Sequence, residues 1–335
     1  MSISARAGIC DFCFGAWHNA GRVMMMKDAL VVVFGGDGFV GRYVVEALLR
    51  QGARVRVASR KPKAGWYLRA QANLGQMTRV GADVTRPDTV AAAVRGADAV
   101  VSLVAIMQGD LAGVNVEGAA NVAEAARDAG AKALVHVSAI GADAQSDAAY
   151  GRSKGEAELA VRSAFPDAMI LRPSIIFGRE DQFINRFAGL IRMLPIVPVI
   201  GAETRFQPVY VADVARAVAM VVSNPAAHSG QTWELGGPEI LSMLALNQWI
   251  AEASGRHKLF IPVPGPVAGA MATLTGWLPG APITRDQWLM LQKDNVVSAG
   301  LDGLAAFGIT PTPLGAVAAG WMVQYRKHGR FGAVA

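Results

Sequence analysis

Residues 30–41 read LVVVFGGDGFVG, and their order of residue types decides the fold. Leu30 to Phe34 is an unbroken apolar run rich in β-branched residues, the composition of a strand buried on both faces. Gly35, Gly38 and Gly41 then fall at G-x-x-G-x-x-G spacing. RYVVEALLRQG follows with apolar residues at helical intervals and Gly52 as its natural stop. Strand, glycine turn and helix in that order open a βαβ unit of the dinucleotide-binding kind. The first glycine permits the tight turn, the second lets a diphosphate approach the backbone, and the third lets helix and strand pack closely. The amides of Phe39 and Val40 then point at the anion from the helix N-terminus.

Outward from this unit the pattern repeats. ARVRVASR, MTRVGADV, AVVSLVA, ALVHVSA and AMILRPS read as short strands, with PDTVAAAVRGA and VEGAANVAEAARDAG as helices between them. Strand and helix alternate from Leu30 to about Phe177, which predicts an α/β fold with a doubly wound parallel sheet and right-handed crossovers. The second half is richer in proline and holds GREDQFINRFAGLIRMLP and FQPVYVADVARAVAMVVS. We therefore expect an extension over residues 1–26, a nucleotide-binding domain over 27–178, and a smaller α/β lobe over 179–330, interleaved with the sheet, that takes a substrate or partner.

Composition narrows the function classes. The 335 residues are 52% hydrophobic and 17% charged, against about a quarter charged in ordinary soluble proteins. Extensive disorder is excluded. The net charge of +6 comes from 32 basic residues without a run of five like charges, so no nucleic-acid stripe is present. A phosphate-bearing ligand or an anionic membrane surface fits the balance. Both cysteines, Cys10 and Cys13, lie near the N-terminus, and the five histidines form no ligand-spaced cluster. That argues against a disulfide framework and against a metal site. Residues 1–26 have no helical or strand period and no apolar core of signal-peptide length.

The end of the second strand selects the cofactor. A carboxylate there would hold ribose hydroxyls, but the residues are Ser59, Arg60 and Lys61. Arg60 is a planar donor suited to a 2′-phosphate and Lys61 adds charge, so NADPH is expected, with NADH as the less favoured alternative. Asp83 and Val84 follow the next strand where an adenine is commonly met. Val104, Ala105, Pro173 and Ile176, after later strands, are expected to complete the cofactor contacts.

AYGRSKGE, residues 149–156, places Tyr150 and Lys154 on one helix face. An ammonium beside a phenol favours the phenolate, so the pair can move a proton. A protein that only binds a nucleotide can keep the same two residues as a ribose clamp. Residues 261–282, IPVPGPVAGAMATLTGWLPGAP, carry no charge but five prolines and four glycines. A buried or interface helix, a membrane-surface helix and a span are the competing readings, with the prolines weighing against the span. Trp277 and Trp288, with Arg285 between, suit a headgroup anchor or a protein interface.

GGDGFVG, GADVT, NVEGAANV, HVSAIG and YGRSK resemble the short-chain dehydrogenase/reductase superfamily, in its extended or atypical branch. RPSIIFGREDQFINRFA, QPVYVADVA, WLPGAPITRDQW and FGITPTPL resemble more specifically the nucleotide-binding accessory subunits of respiratory complex I, the alpha subcomplex subunit nine family. The similarity runs from about Lys27 to about Leu314. It implies an extended Rossmann fold and a tightly held NADPH whose role is structural or regulatory. It also implies a peripheral position on the bacterial cytoplasmic side of the inner membrane, against peripheral-arm subunits and the membrane surface, near the entry of ubiquinone. Residues 261–282 and the helix around Trp288 would be the docking surface. In active members of the superfamily the equivalents of Tyr150, Lys154 and Ser138 transfer the proton, bind the nicotinamide ribose and orient the carbonyl, and Asn115 matches a position that often supports the lysine through water. The alternative is therefore a free-standing NADP-dependent reductase, epimerase or dehydratase acting on a hydrophobic carbonyl, quinone or isoprenoid, which could dimerise through residues 113–130 and 148–164.

Overall fold

The structure, a computed structural model, describes residues 26–278, 281, 283–327 and 329–331. The expected extension, with Cys10 and Cys13, lies outside the described residues except for Met26, which is buried against the core.

The doubly wound sheet forms as its composition dictates. Six parallel strands run in chain order: β1 (Leu30–Phe34), β2 (Arg54–Ser59), β3 (Met77–Gly81), β4 (Ala99–Ser102), β5 (Ala133–Val137) and β6 (Met169–Pro173). A seventh strand, Thr232–Leu235, pairs parallel with β6. The spatial order is seventh strand, β6, β5, β4, β1, β2, β3, so the direction of winding reverses between β1 and β4. Ligands of such sheets sit outside the carboxyl ends of the strands at that reversal.

Alternation along each strand fills both faces. Val31, Val33, Val55, Val57, Val101 and Val135 point to one face, which α1 (Phe39–Arg50) and α6 (Val211–Ser223) cover. Val32, Phe34, Val100 and Leu134 point to the other, under α2 (Pro87–Val94), α3 (Gly118–Asp128) and α4 (Ala149–Ala164). Gly52 has φ 86°, and sits just past the C-cap of α1 as a left-handed stop. Both α6 and the seventh strand come from beyond residue 178, so the second half of the chain builds part of the nucleotide-binding layer.

The rest of the second half makes three short strand pairs. Ile176–Phe177 pairs with Val209–Tyr210, Arg205–Phe206 with Leu241–Ser242, and Ile196–Ile200 with Leu259–Val263. Together with α5 (Phe183–Met193) they enclose separate apolar clusters, one centred on Phe177, Ile184 and Ile250, another on Val199 and Phe206.

The charge-free stretch 261–282 ends a strand and then forms the helix Gly265–Thr275. Of the buried or interface reading, the buried half is corrected here. Only Ala268 and Ala272 of this helix are buried, while Val267, Leu274 and Trp277 are 56%, 72% and 77% exposed. The two tryptophans part company. Trp277 faces outward, whereas Trp288 packs on Gly269, where a Cβ would lie 3.1 Å from its Nε1. Among the described residues no helix is long and apolar enough to cross a membrane.

Candidate functional site

The phosphate loop has the geometry that its glycines predict. Gly35 has φ 76°, a left-handed conformation that side chains rarely tolerate. A Cβ on Gly41 would overlap the carbonyl oxygen of Gly35 and the backbone of Gly36. Gly38 caps α1 without a side-chain acceptor, and the first turn of α1 has no acid. The amides of Phe39 and Val40 are thus first-turn amides at a positive helix terminus, a cradle for an anion.

A network that the sequence reading missed braces this loop. Tyr67 Oη donates to the carbonyl of Asp37 at 2.6 Å, and the Arg42 guanidinium lies 4.8 Å from the Tyr67 ring centroid. Arg42 also pairs with Glu180 at 3.4 Å, and Tyr43 Oη donates to Glu180 Oε2 at 2.8 Å. Burial and the Glu180 carboxylate hold the Tyr43 phenol well above its ordinary range. Glu180 belongs to the GRED stretch, whose sequence gave resemblance but no partner.

At the end of β2 the Ser59 hydroxyl is buried without a partner, while Arg60 and Lys61 are exposed. Asp83 holds Thr85 through its amide at 3.1 Å and its hydroxyl at 2.9 Å, which, with a smaller attraction from Arg60, keeps the carboxyl below its ordinary value. Val84 is buried, and its carbonyl accepts from Asn121 Nδ2 at 2.8 Å. Val104 stands beside Gly35, where a Cβ would lie 3.4 Å from Val104 Cγ2, and Ala105 is exposed next to it. Pro173 closes β6 and accepts the Ile140 amide at 3.0 Å, with Ile176 half-buried beyond it. These residues end strands on the same edge of the sheet.

The proton-transfer candidates converge at the ends of β5 and α4. Lys154 is 1% exposed, and its ammonium donates to the Val137 carbonyl at 3.0 Å. Burial, opposed in part by Glu158, pushes its pKa down to about 8. Ser138 is buried with a hydroxyl that has no hydrogen-bond partner among the described residues. Burial pushes the Tyr150 phenol up. The downward pull expected from Lys154 does not govern this phenol: removal from water is the cause that sets the direction of its shift. Asn115 sits in a π-turn, Ala112–Glu117, of a kind that often marks functional sites. Its side chain accepts from Ile106 N at 2.8 Å and donates to Ile106 O at 2.9 Å and Ser153 Oγ at 3.0 Å. It therefore braces the loop after β4 against α4 rather than bonding Lys154 directly.

Beneath the pair, Glu158 forms a two-pronged ion pair with Arg172, at 2.9 and 2.6 Å. His136 on β5 is fully buried with both ring nitrogens unpartnered, and burial plus the Lys154 charge hold it well below its ordinary pKa, hence neutral. A cavity of about 470 Å³ opens beside the start of α4. Its walls include Met107, Leu111, Ala149, Trp277, Asp286 and Met290. Among the described residues no group of His, Cys, Asp and Glu is arranged to hold a metal.

The residues present fit a nicotinamide dinucleotide. The glycine cradle suits a diphosphate, and the buried Ser59 and Ser138 hydroxyls, which have no hydrogen-bond partner among the described residues, are open to a ligand's polar groups.

Comparison with known proteins agrees with this geometry. The family described as "NAD dependent epimerase/dehydratase family" matches residues 31–236. The mitochondrial NADH dehydrogenase [ubiquinone] 1 alpha subcomplex subunit 9 of Rattus norvegicus is 36% identical over 307 residues, covering 89% of this chain and 80% of the relative. The ceramide reductase of Caulobacter vibrioides is 33% identical over 197 residues, 57% of this chain and 61% of the relative. Among solved structures, a triphenylmethane reductase of Citrobacter sp. complexed with NADP(H) superposes with TM-score 0.70 at 21% identity, over 88% of this chain and 99% of its own. The chain belongs to the NAD dependent epimerase/dehydratase family, as a relative of the alpha subcomplex subunit 9 proteins of complex I.

Proposed function

We propose that the chain is an NADPH-binding accessory subunit of a bacterial complex I, held at the peripheral arm on the cytoplasmic side of the inner membrane. The observation that carries this reading is the extent of likeness to the mitochondrial subunit, which covers 89% of this chain and so includes the second lobe as well as the sheet. NADPH over NADH is supported by the Ser59–Arg60–Lys61 strand end, which offers donors and positive charge with no acid. Peripheral attachment is supported by the exposed, charge-free helix Gly265–Thr275 and Trp277, an apolar face without cover among the described residues.

In this role the chain's residues bind and orient. The first turn of α1 holds the diphosphate, Arg60 the 2′-phosphate, and Lys154 and Tyr150 the nicotinamide ribose. The nucleotide would supply hydride-transfer capacity, and its function here is structural or regulatory. The test is a mild-detergent native gel of the source organism's membranes, probed for this chain. Co-migration with NADH dehydrogenase activity supports the proposal, and migration alone or in the soluble fraction defeats it.

One observation favours a second reading. A cavity of about 470 Å³ with a mixed polar and apolar lining opens at Ala149, at the start of the Tyr150 helix, and Ser138, Tyr150 and Lys154 are all retained. They would let the chain reduce a hydrophobic carbonyl. Ser138 would orient the carbonyl oxygen, Tyr150 would give it a proton, and Lys154 would hold positive charge beside the phenol. Likeness to a ceramide reductase over 57% of this chain supports that substrate character. An NADPH-oxidation screen against long-chain ketones and quinones checks it, with Tyr150→Phe expected to abolish any turnover found.

A further inference from the structure

The helix that carries Tyr150 and Lys154 starts without a cap of its own. Ala148, at its N-cap position, has no side-chain acceptor, and the first amides of a helix have no partners within it. The acceptor comes from the far end of the chain. Asp286 takes the Ala149 amide with Oδ1 and the Tyr150 amide with Oδ2, the latter at 3.2 Å. A carboxylate at a helix N-terminus is also favoured by the helix dipole.

Asp286 is itself firmly placed. Thr284 caps the short helix Arg285–Met290, its Oγ1 accepting from Gln287 N at 3.2 Å, while Gln287 Oε1 accepts from Thr284 N at 3.1 Å. Trp288 of the same helix lies on Gly265 and Gly269 of the apolar surface helix. Ala149 and Asp286 both form part of the cavity wall. The second lobe thus reaches back to the first turn of α4, and one of the two amides it grips is that of Tyr150.

We infer that Asp286 is a positioning residue for Tyr150, holding the first turn of its helix so that the phenol is set relative to Ser138 and Lys154. A cap with a purely structural role would contribute stability alone. A positioning role further requires that the phenol and the nucleotide respond when the cap is removed. The part concerning the nucleotide rests on the NADPH reading above.

The experiment compares the full-length chain with Asp286→Ala and Asp286→Asn. NADPH is titrated by its fluorescence, and the Tyr150 phenol is titrated by ultraviolet difference against Tyr150→Phe. Asp286→Ala should weaken NADPH binding about tenfold, within the range usual for coupled sites. Its Tyr150 phenol should titrate lower, toward the ordinary tyrosine value, because a loosened turn lets water in. Asp286→Asn keeps one oxygen acceptor and should recover part of both effects. If both variants bind NADPH as the parent does and leave the phenol titration unmoved, the inference is overturned, even if they melt at lower temperature. If Asp286→Ala fails to fold, Asp286→Asn against the parent decides by the same two readouts. Should the parent itself not bind NADPH, the nucleotide reading fails while the phenol titration still decides the positioning role.

Discussion

Lys154 should destabilise the protein that carries it. Its side chain is 1% exposed, with a single hydrogen bond to the Val137 carbonyl, and burial brings its pKa from 10.5 to about 8. At about 1.36 kcal/mol per pH unit, that difference is a cost of about 3 kcal/mol for keeping the ammonium charged at neutral pH. Lys154→Met preserves length and removes the charge. It also forfeits the bond to Val137, worth about 1 kcal/mol. The variant should therefore be more stable than the parent by about 2 kcal/mol at pH 7, a rise of a few degrees in Tm. The pH dependence fixes the cause. The folded-state pKa is depressed, so the parent's penalty is whole below about 8 and is relieved as pH rises from about 8 to 10.5. The advantage of Lys154→Met should shrink over that window, pass through zero within it and reverse to about −1 kcal/mol at its top, where only the lost bond to Val137 remains. The half-buried Tyr43 and Tyr67, whose raised pKa values lower stability at high pH, are common to both chains and cancel in the difference. The assay is urea unfolding of the two purified chains without nucleotide at pH 7, 8.5 and 10. A variant less stable than the parent at pH 7, or a difference that does not change with pH, refutes the reasoning. The same variant should bind NADPH more weakly, since in the proposed role the charge that burdens the fold is the one set to meet the nicotinamide ribose.

Arg60→Ala should cost NADPH about 10- to 100-fold in affinity, the worth of a hydrogen bond to a charged group, and leave NADH within about twofold, measured by fluorescence titration of both. Gly41→Ala should abolish binding of either nucleotide, because the added Cβ overlaps the Gly35 carbonyl and the loop must open to admit it, as calorimetry would report. Replacing Val267, Leu274 and Trp277 together by serine should release the chain from vesicles containing anionic lipid in a sedimentation assay, while its Tm stays within about 2 °C, since these side chains are largely exposed. Continued sedimentation of that triple variant would remove the apolar helix from the attachment surface.

The sheet was legible because it is written in local pattern. Leu30–Phe34, the three glycines and the alternating segments to Pro173 each state their own structure, and buried parallel strands demand the β-branched runs found there. Phosphate-loop residues were legible for the same reason, since a tight turn with a left-handed Gly35 and a clash-free Gly41 leaves no other residue type. Tyr150 and Lys154 were legible from spacing on one helix face. Tertiary structure alone decided what lies far apart in the chain. Thr232–Leu235 joins β6 although about sixty residues separate them, and nothing in TWEL announces that neighbour. Glu180 reaches Arg42 and Tyr43, and Asp286 reaches Ala149 and Tyr150, through bonds that no periodicity encodes. The charge-free segment 261–282 shows the limit most plainly. Its apolar composition was compatible with a buried helix, but burial depends on what else the chain places on top, and here it places only enough to cover Ala268 and Ala272. Charge obeys the same division: the sequence supplies a lysine four residues after a tyrosine, and only burial beside Val137, opposed in part by the Glu158 charge, brings its pKa down to about 8.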